Sequence, residues 1–130
     1  MINELSGLTG NVLKLALDAS WLRHQVIADN VANSNSPGFS PNKVDFESQF
    51  SEALKRSQSM SGSEADKASL EMVKAAVVSD EEQFSIGDKK VYLEKEMINM
   101  AKNTTHYKAL LSGMAKRGAL IGMAINGGKG

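Results

Sequence analysis

The sequence predicts a mainly α fold: two long terminal helices that pack on each other, joined by an extended or irregular and partly disordered middle. Three observations carry this reading. Apolar residues recur at alternating steps of three and four near both ends. A dense cluster of turn residues, Asn33-Ser34-Asn35-Ser36-Pro37-Gly38, closes the first of these stretches. Between them lies a segment rich in Ser, Glu, Lys and Gly with few large apolar side chains, which buries too little surface to offset its ordering entropy.

The first helix is expected over residues 3–33. Its seam is Leu5, Leu8, Val12, Leu15, Ala19, Leu22 and Val26, a strict 3,4 alternation. Leu13, Leu17, Trp21 and Ile27 widen the stripe, so more than one neighbour is expected. Gly7 and Gly10 weaken the first turns, predicting a frayed start before about Asn11. Pro37 disfavours helix at Ser36, and Pro37-Gly38 suits the central pair of a type II turn, whose second position needs positive φ. Pro41 follows, so Phe39 to Phe46 reads as extended.

The remaining boundaries follow from composition. Residues 34–50 form the turn and extended segment, and 51–91 a flexible acidic middle, weakest over Ser51–Ala68. Leu70, Val73 and Val77 share a helical face, predicting a short helix over 65–77. Asp80-Glu81-Glu82 and Ser85-Ile86-Gly87-Asp88 read as a second acidic loop. The second long helix is expected within 92–130, over residues 92–126. Its seam is Leu93, Met97, Met100, Thr104, Tyr107, Leu111, Met114, Gly118, Ile121 and Ile125, ended by Gly127-Gly128. Small residues at spacing four, Ala115 with Ala119 and Gly118 with Gly122, allow close helix approach.

Composition narrows the function classes. The chain has 130 residues, no cysteine and 5% aromatic residues, so disulfides and thiolate chemistry are excluded and Ala, Leu, Val, Ile and Met must fill the interfaces. No apolar run approaches a membrane span, and the N-terminus lacks the pattern of a cleaved signal. Acidic residues concentrate in 34–88 and basic residues in 89–130. A basic tail fits nucleic acid or anionic lipid. An acidic partner segment, from the middle of this chain or a neighbouring copy, is the simpler match.

No catalytic constellation is present. His24 and His106 lie in separate helices with no i,i+4 histidine partner. The serines lack a nucleophile elbow, and Glu94 and Glu96 point to different helix faces. The expectation is a self-assembling structural protein, not an enzyme, with no catalytic residue, metal or cofactor.

Two blocks carry a resemblance. Leu22-Arg-His-Gln-Val-Ile-Ala-Asp-Asn-Val-Ala-Asn-Ser-Asn-Ser-Pro-Gly-Phe39, continuing to Val44-Asp-Phe46, resembles the N-terminal signature of bacterial flagellar rod and hook proteins. Asn30, Ala32, Asn33, Pro37, Gly38 and Phe39 match it directly. Val91-Tyr-Leu-Glu-Lys-Glu-Met97, with Asn103 and Tyr107 downstream, resembles the C-terminal helix of the same family. One departure is Tyr92, where the family usually has Asp; Asp88 or solvent must then cap the helix, or the helix starts later.

The short length and missing large middle domain point within that family to the proximal rod. The resemblance implies terminal helices paired as an antiparallel coiled-coil-like hairpin around an axial channel. It also implies a subunit of the drive shaft that crosses the periplasm, exported without a cleaved signal through the flagellar type III apparatus. Implied partners are other copies of the chain, the proximal rod proteins FlgC and FlgF, the junction protein FliE, the ring protein FliF and the export gate. Phe46-Glu-Ser-Gln-Phe50 fits the family's export-gate recognition pattern; an aromatic clamp against the helices explains the same pair. The alternative reading of the whole chain is a coiled-coil adaptor or secreted translocon-like component of a type III export system.

Overall fold

A computed structural model of the chain describes residues 2–59 and 73–127. The described fold is mainly helical: α1 (Ile2–Asn33), β1 (Asn42–Asp45), α2 (Glu47–Ser59), β2 (Ala76–Ser79), α3 (Glu81–Phe84) and α4 (Lys89–Gly127). α4 has 39 residues and is about 58 Å long at 1.5 Å per residue. No helix among the described residues is long and apolar enough to cross a membrane.

α1 is continuous from Ile2, through the two glycines where fraying was expected. At Gly10 the Arg117 guanidinium of α4 lies 2.8 Å from where a Cβ would sit, so this glycine permits a close approach. The helix ends as its sequence dictates. Asn33 Nδ2 donates to the Asp29 carbonyl at 2.9 Å and Ser34 Oγ to the Val31 carbonyl at 2.8 Å, so side chains add bonds to the carbonyls of the last turns. The Phe39 amide then donates to the Ser36 carbonyl at 3.1 Å across Pro37-Gly38, with Gly38 at φ +73°. Proline at the second position and positive φ at the third define a type II turn.

The middle departs from expectation. Residues 51–59 are helical, not irregular, because Phe50 and Ala53, with Phe46 just before the helix, lie at spacings of four and three and bury one face of it. Residues 60–68 lie outside the described part. Of the short helix expected over 65–77, residues 65–72 also lie outside it; Val73–Ala75 have no regular structure, and Val77 is in a strand. β-branched Val77 and Val78 favour the pleated geometry and pair antiparallel with β1, Val44 opposite Val77 and Lys43 opposite Val78. The expected second acidic loop contains a helical turn, α3, because Asp80 accepts the Gln83 amide at 3.1 Å as an N-cap.

α4 starts at Lys89, three residues before the expected Tyr92. Asp88 Oδ1 accepts the Lys90 and Val91 amides at 2.8 and 3.3 Å. Asp88 therefore supplies the cap that Tyr92 lacks.

The buried apolar cluster is Ala19, Phe46, Ala53 and Val73, with Leu15, Ala16, Phe50 and Ala75 packed against it. It sits between the middle of α1, α2 and the segment entering β2. The contacts of α1 with α4 fall in reverse order along the two helices: Asn30 with Glu96, Ser20 with Asn103, Leu13 with Gly113 and Gly10 with Arg117.

Candidate functional site

The two sequence blocks meet at one buried polar junction. Asn30 comes from the last turns of α1, Gln83 from α3, and Glu96 and Asn99 from the first turns of α4. Glu96 is only 2% exposed. Its carboxylate accepts from Asn30 Nδ2 at 3.0 Å, Gln83 Nε2 at 2.8 Å and Asn99 Nδ2 at 3.1 Å. Buried polar groups are tolerated when their hydrogen bonds are made, and here three amides surround one carboxylate. Asn30 also holds the chain after the turn: its Nδ2 donates to the Asn42 carbonyl at 2.7 Å and its Oδ1 accepts the Asn42 amide at 3.1 Å.

A second polar tie lies ten residues back along α1. Ser20 Oγ donates to Asn103 Oδ1 at 3.1 Å, and Asn103 Nδ2 donates to the Ser20 carbonyl at 2.9 Å. A third joins α1 to the strand and to α2. Arg23 donates to the Val44 carbonyl at 3.0 Å and to Glu47 Oε2 at 2.8 Å. Burial opposes ionisation of Glu47. The hydrogen bond from Arg23, the Glu47 and Phe46 backbone amides and the Arg23 charge outweigh it and hold the carboxyl below its ordinary range.

Tyr92 is buried beside this junction, next to a cavity of about 210 Å³ that Phe39, Pro41, Phe84 and Ile86 help to line. Its hydroxyl and the Gln83 Oε1 atom have no hydrogen-bond partner among the described residues. Burial, then the charges of Glu96 and Asp80, push the Tyr92 hydroxyl up to about 12.

The residues singled out from sequence fall into three groups. Asn30 is buried in the junction, whereas Ala32, Asn33, Pro37 and Gly38 are exposed and Phe39 is half-buried. On α1, Ala19 and Val26 are buried and Val12, Leu15 and Leu22 half-buried; the side chains of Leu5 and Leu8 lie outside the described part. On α4, Leu93, Met100, Tyr107, Met114 and Ile121 are half-buried. Met97 (69% exposed), Leu111 (45%) and Ile125 face solvent.

The α4 residues that touch α1 include Glu96, Asn103 and Gly113 as well as the seam position Tyr107, so the inner face holds part of the seam and polar neighbours of it. Phe46 is buried and its ring stacks on that of Phe50, centroids 5.7 Å apart. Trp21, half-exposed, stacks on His24 and lies 6.4 Å from Tyr107.

Sequence reasoning missed Ser20 and Gln83 altogether and gave no role to Arg23, although it stands in the N-terminal block. Ser20 and Gln83 are ordinary polar residues until a distant partner desolvates them, so periodicity carries no sign of them. The readable signal was in the C-terminal block, where Glu96 and Asn103 stand among the residues of the family resemblance. Among the described residues, no group of acidic or histidine side chains has the arrangement of a metal site.

The chain is similar to the flagellar basal body rod protein FlgB of Bacillus subtilis (strain 168), with 24% identity over 119 residues. The alignment covers 90% of this chain and 92% of that protein. No family model matches, and no solved structure matches. The near full-length similarity supports a FlgB-like flagellar rod protein and suggests a component of the flagellar basal-body rod.

Proposed function

We propose that this chain is a structural subunit of the proximal rod of the bacterial flagellar basal body. It assembles through its terminal helices into the tubular drive shaft that transmits torque across the periplasm. The observation that carries this reading is the likeness to FlgB along nine-tenths of the chain. The geometry adds support: Asn30 of the N-terminal block and Glu96 of the C-terminal block, far apart in sequence, hydrogen-bond at 3.0 Å.

In this reading α1 and α4 act as an antiparallel coiled-coil-like hairpin. Their polar contacts set the register within one subunit, and the seam positions left exposed on α4 serve other subunits. Met97, Leu111 and Ile125 are exposed along one stripe of that helix, and Ile98, Leu120 and Met123 along a second. Scattered apolar side chains on a surface need no explanation, but a row of them along one long helix marks an interaction face. The partners would be further copies, FlgC and FlgF, with FliE and FliF at the membrane end. The chain would reach the periplasm by the flagellar export route, with Phe46 and Phe50 docking on the gate before they pack in the folded subunit.

The test is genetic and biochemical. Deleting the gene in its motile host is expected to abolish swimming, and a tagged chain is expected in purified basal bodies. A motile deletion strain, or purified rods lacking the tagged chain, would overturn the proposal.

A further inference from the structure

The two-stranded sheet has two outer edges, and the chain treats them differently. The register pairs Asn42 with Ser79 and Val44 with Val77. Just beyond it, the Asp80 amide donates to the Pro41 carbonyl at 2.9 Å. Antiparallel ladders alternate bonded and non-bonded pairs. The bonded pairs are therefore Lys43 with Val78 and Asp45 with Ala76. Asn42, Val44, Val77 and Ser79 turn their backbone groups outward.

On the β1 side three of those four groups are taken. Asn30 binds both the amide and the carbonyl of Asn42, and Arg23 binds the Val44 carbonyl. On the β2 side, the outward groups of Val77 and Ser79 have no partner among the described residues. β2 carries no charge and no proline, the usual guards of an open edge. Val77 is 50% and Val78 37% exposed.

Because β1 is closed by α1, a second copy cannot add its β2 to this chain's β1; only like edges can meet. We propose that β2 is a docking edge for β2 of a second copy, paired antiparallel about a two-fold axis at Val77. Three features favour this register. Val77 meets its own copy with outward amide and carbonyl groups on both chains. Residues opposite each other share a sheet face, so Val44 and Val77 of the two chains align as one row of four valines, extending the face on which Val44 is buried. Lys74 falls opposite Asp80 of the second copy, and neither makes an ion pair with the described residues of its own chain.

A contact of this kind closes at two copies, so it does not itself build a tube, and it stands or falls independently of the rod proposal. A four-residue edge buries far less than the roughly 1,200 Å² of a stable interface. Pairing is therefore expected only near millimolar concentration.

The test is a concentration series on the full ¹⁵N-labelled chain, followed by amide shifts and sedimentation. The expected result is a monomer–dimer equilibrium in which the Val77 and Ser79 amides shift and gain exchange protection together. Val77→Pro removes one outward donor and leaves the β1–β2 bonds intact, since proline is tolerated on an edge. Val77→Lys keeps the backbone and sets like charges face to face. Each is expected to weaken dimerisation about tenfold or more, and Lys74→Glu severalfold at low salt. A chain that stays monomeric to millimolar concentration overturns the proposal. So does dimerisation that these variants leave unchanged, or one whose shifted amides lie on α1 and α4.

Discussion

Replacing Asn30 with alanine should be among the most damaging single changes in this chain. The Asn30 side chain makes three hydrogen bonds, two to the Asn42 backbone and one to Glu96. Neutral hydrogen bonds contribute about 1 kcal/mol each and those to a charged group about 2 kcal/mol, so the full loss is about 4 kcal/mol. Asn42 is exposed, and water would replace part of what it loses. The expected cost is therefore about 2–3 kcal/mol, most of it from the donor missing at the buried Glu96 carboxylate. Asn33→Ala is the internal control: Asn33 is exposed and its side chain makes a single bond to its own helix, so the change should cost under about 1 kcal/mol. Urea unfolding followed by far-UV circular dichroism reads both, with an unchanged slope showing that only stability moved. A double-mutant cycle with Glu96→Gln should give a coupling of about 0.5 kcal/mol or more. If Asn30→Ala falls within about 0.5 kcal/mol of wild type, the junction does not fix the helices as argued.

Four further outcomes are expected. Gly38 sits at φ +73° and a Cβ placed there would meet nothing within 4 Å, so substitution is felt through the backbone alone. Gly38→Val should cost about 1–2 kcal/mol and Gly38→Asn distinctly less in urea unfolding; equal costs would contradict the left-handed turn. Leu111→Asp should leave thermal unfolding nearly unchanged, because Leu111 is already half-exposed, yet remove the chain from purified basal bodies; Leu15→Asp, against the core, should prevent folding. Normal swimming with Leu111→Asp would sink the role given to the exposed seam positions. The raised Tyr92 hydroxyl stays protonated in the folded chain after the unfolded chain has lost that proton. Stability should thus fall as pH climbs from about 10 toward 12, and Tyr92→Phe should show a shallower decline over that range. Finally, export docking by Phe46 and Phe50 predicts that the double alanine variant stays cytoplasmic in a strain whose rod cannot be completed. Normal periplasmic levels would leave these rings only their packing role, whose loss costs about 3–5 kcal/mol for the buried Phe46.

The features legible in the sequence are those that neighbours along the chain decide. The two long helices show in the 3,4 spacing of apolar residues, and the stop at Asn33 shows in the Asn, Ser, Pro and Gly that follow it. Proline's locked φ and the lack of a Cβ at Gly38 act within one peptide unit, so the turn needed no tertiary partner to be recognised. Other features depend on residues far apart in the sequence. Val77 has no strand to join until Val44 is brought beside it, and α2 becomes worth ordering only when Phe46 and Ala53 meet Ala19. The choice of helix face is the clearest case. Periodicity ranks Met97 and Leu111 as seam residues because they are apolar. Glu96 and Asn103 are the residues buried, because Asn30, Gln83 and Ser20 satisfy their hydrogen bonds across 13 to 83 residues of chain. A polar side chain's cost of burial depends on whether a partner is waiting, and only the tertiary structure supplies that partner.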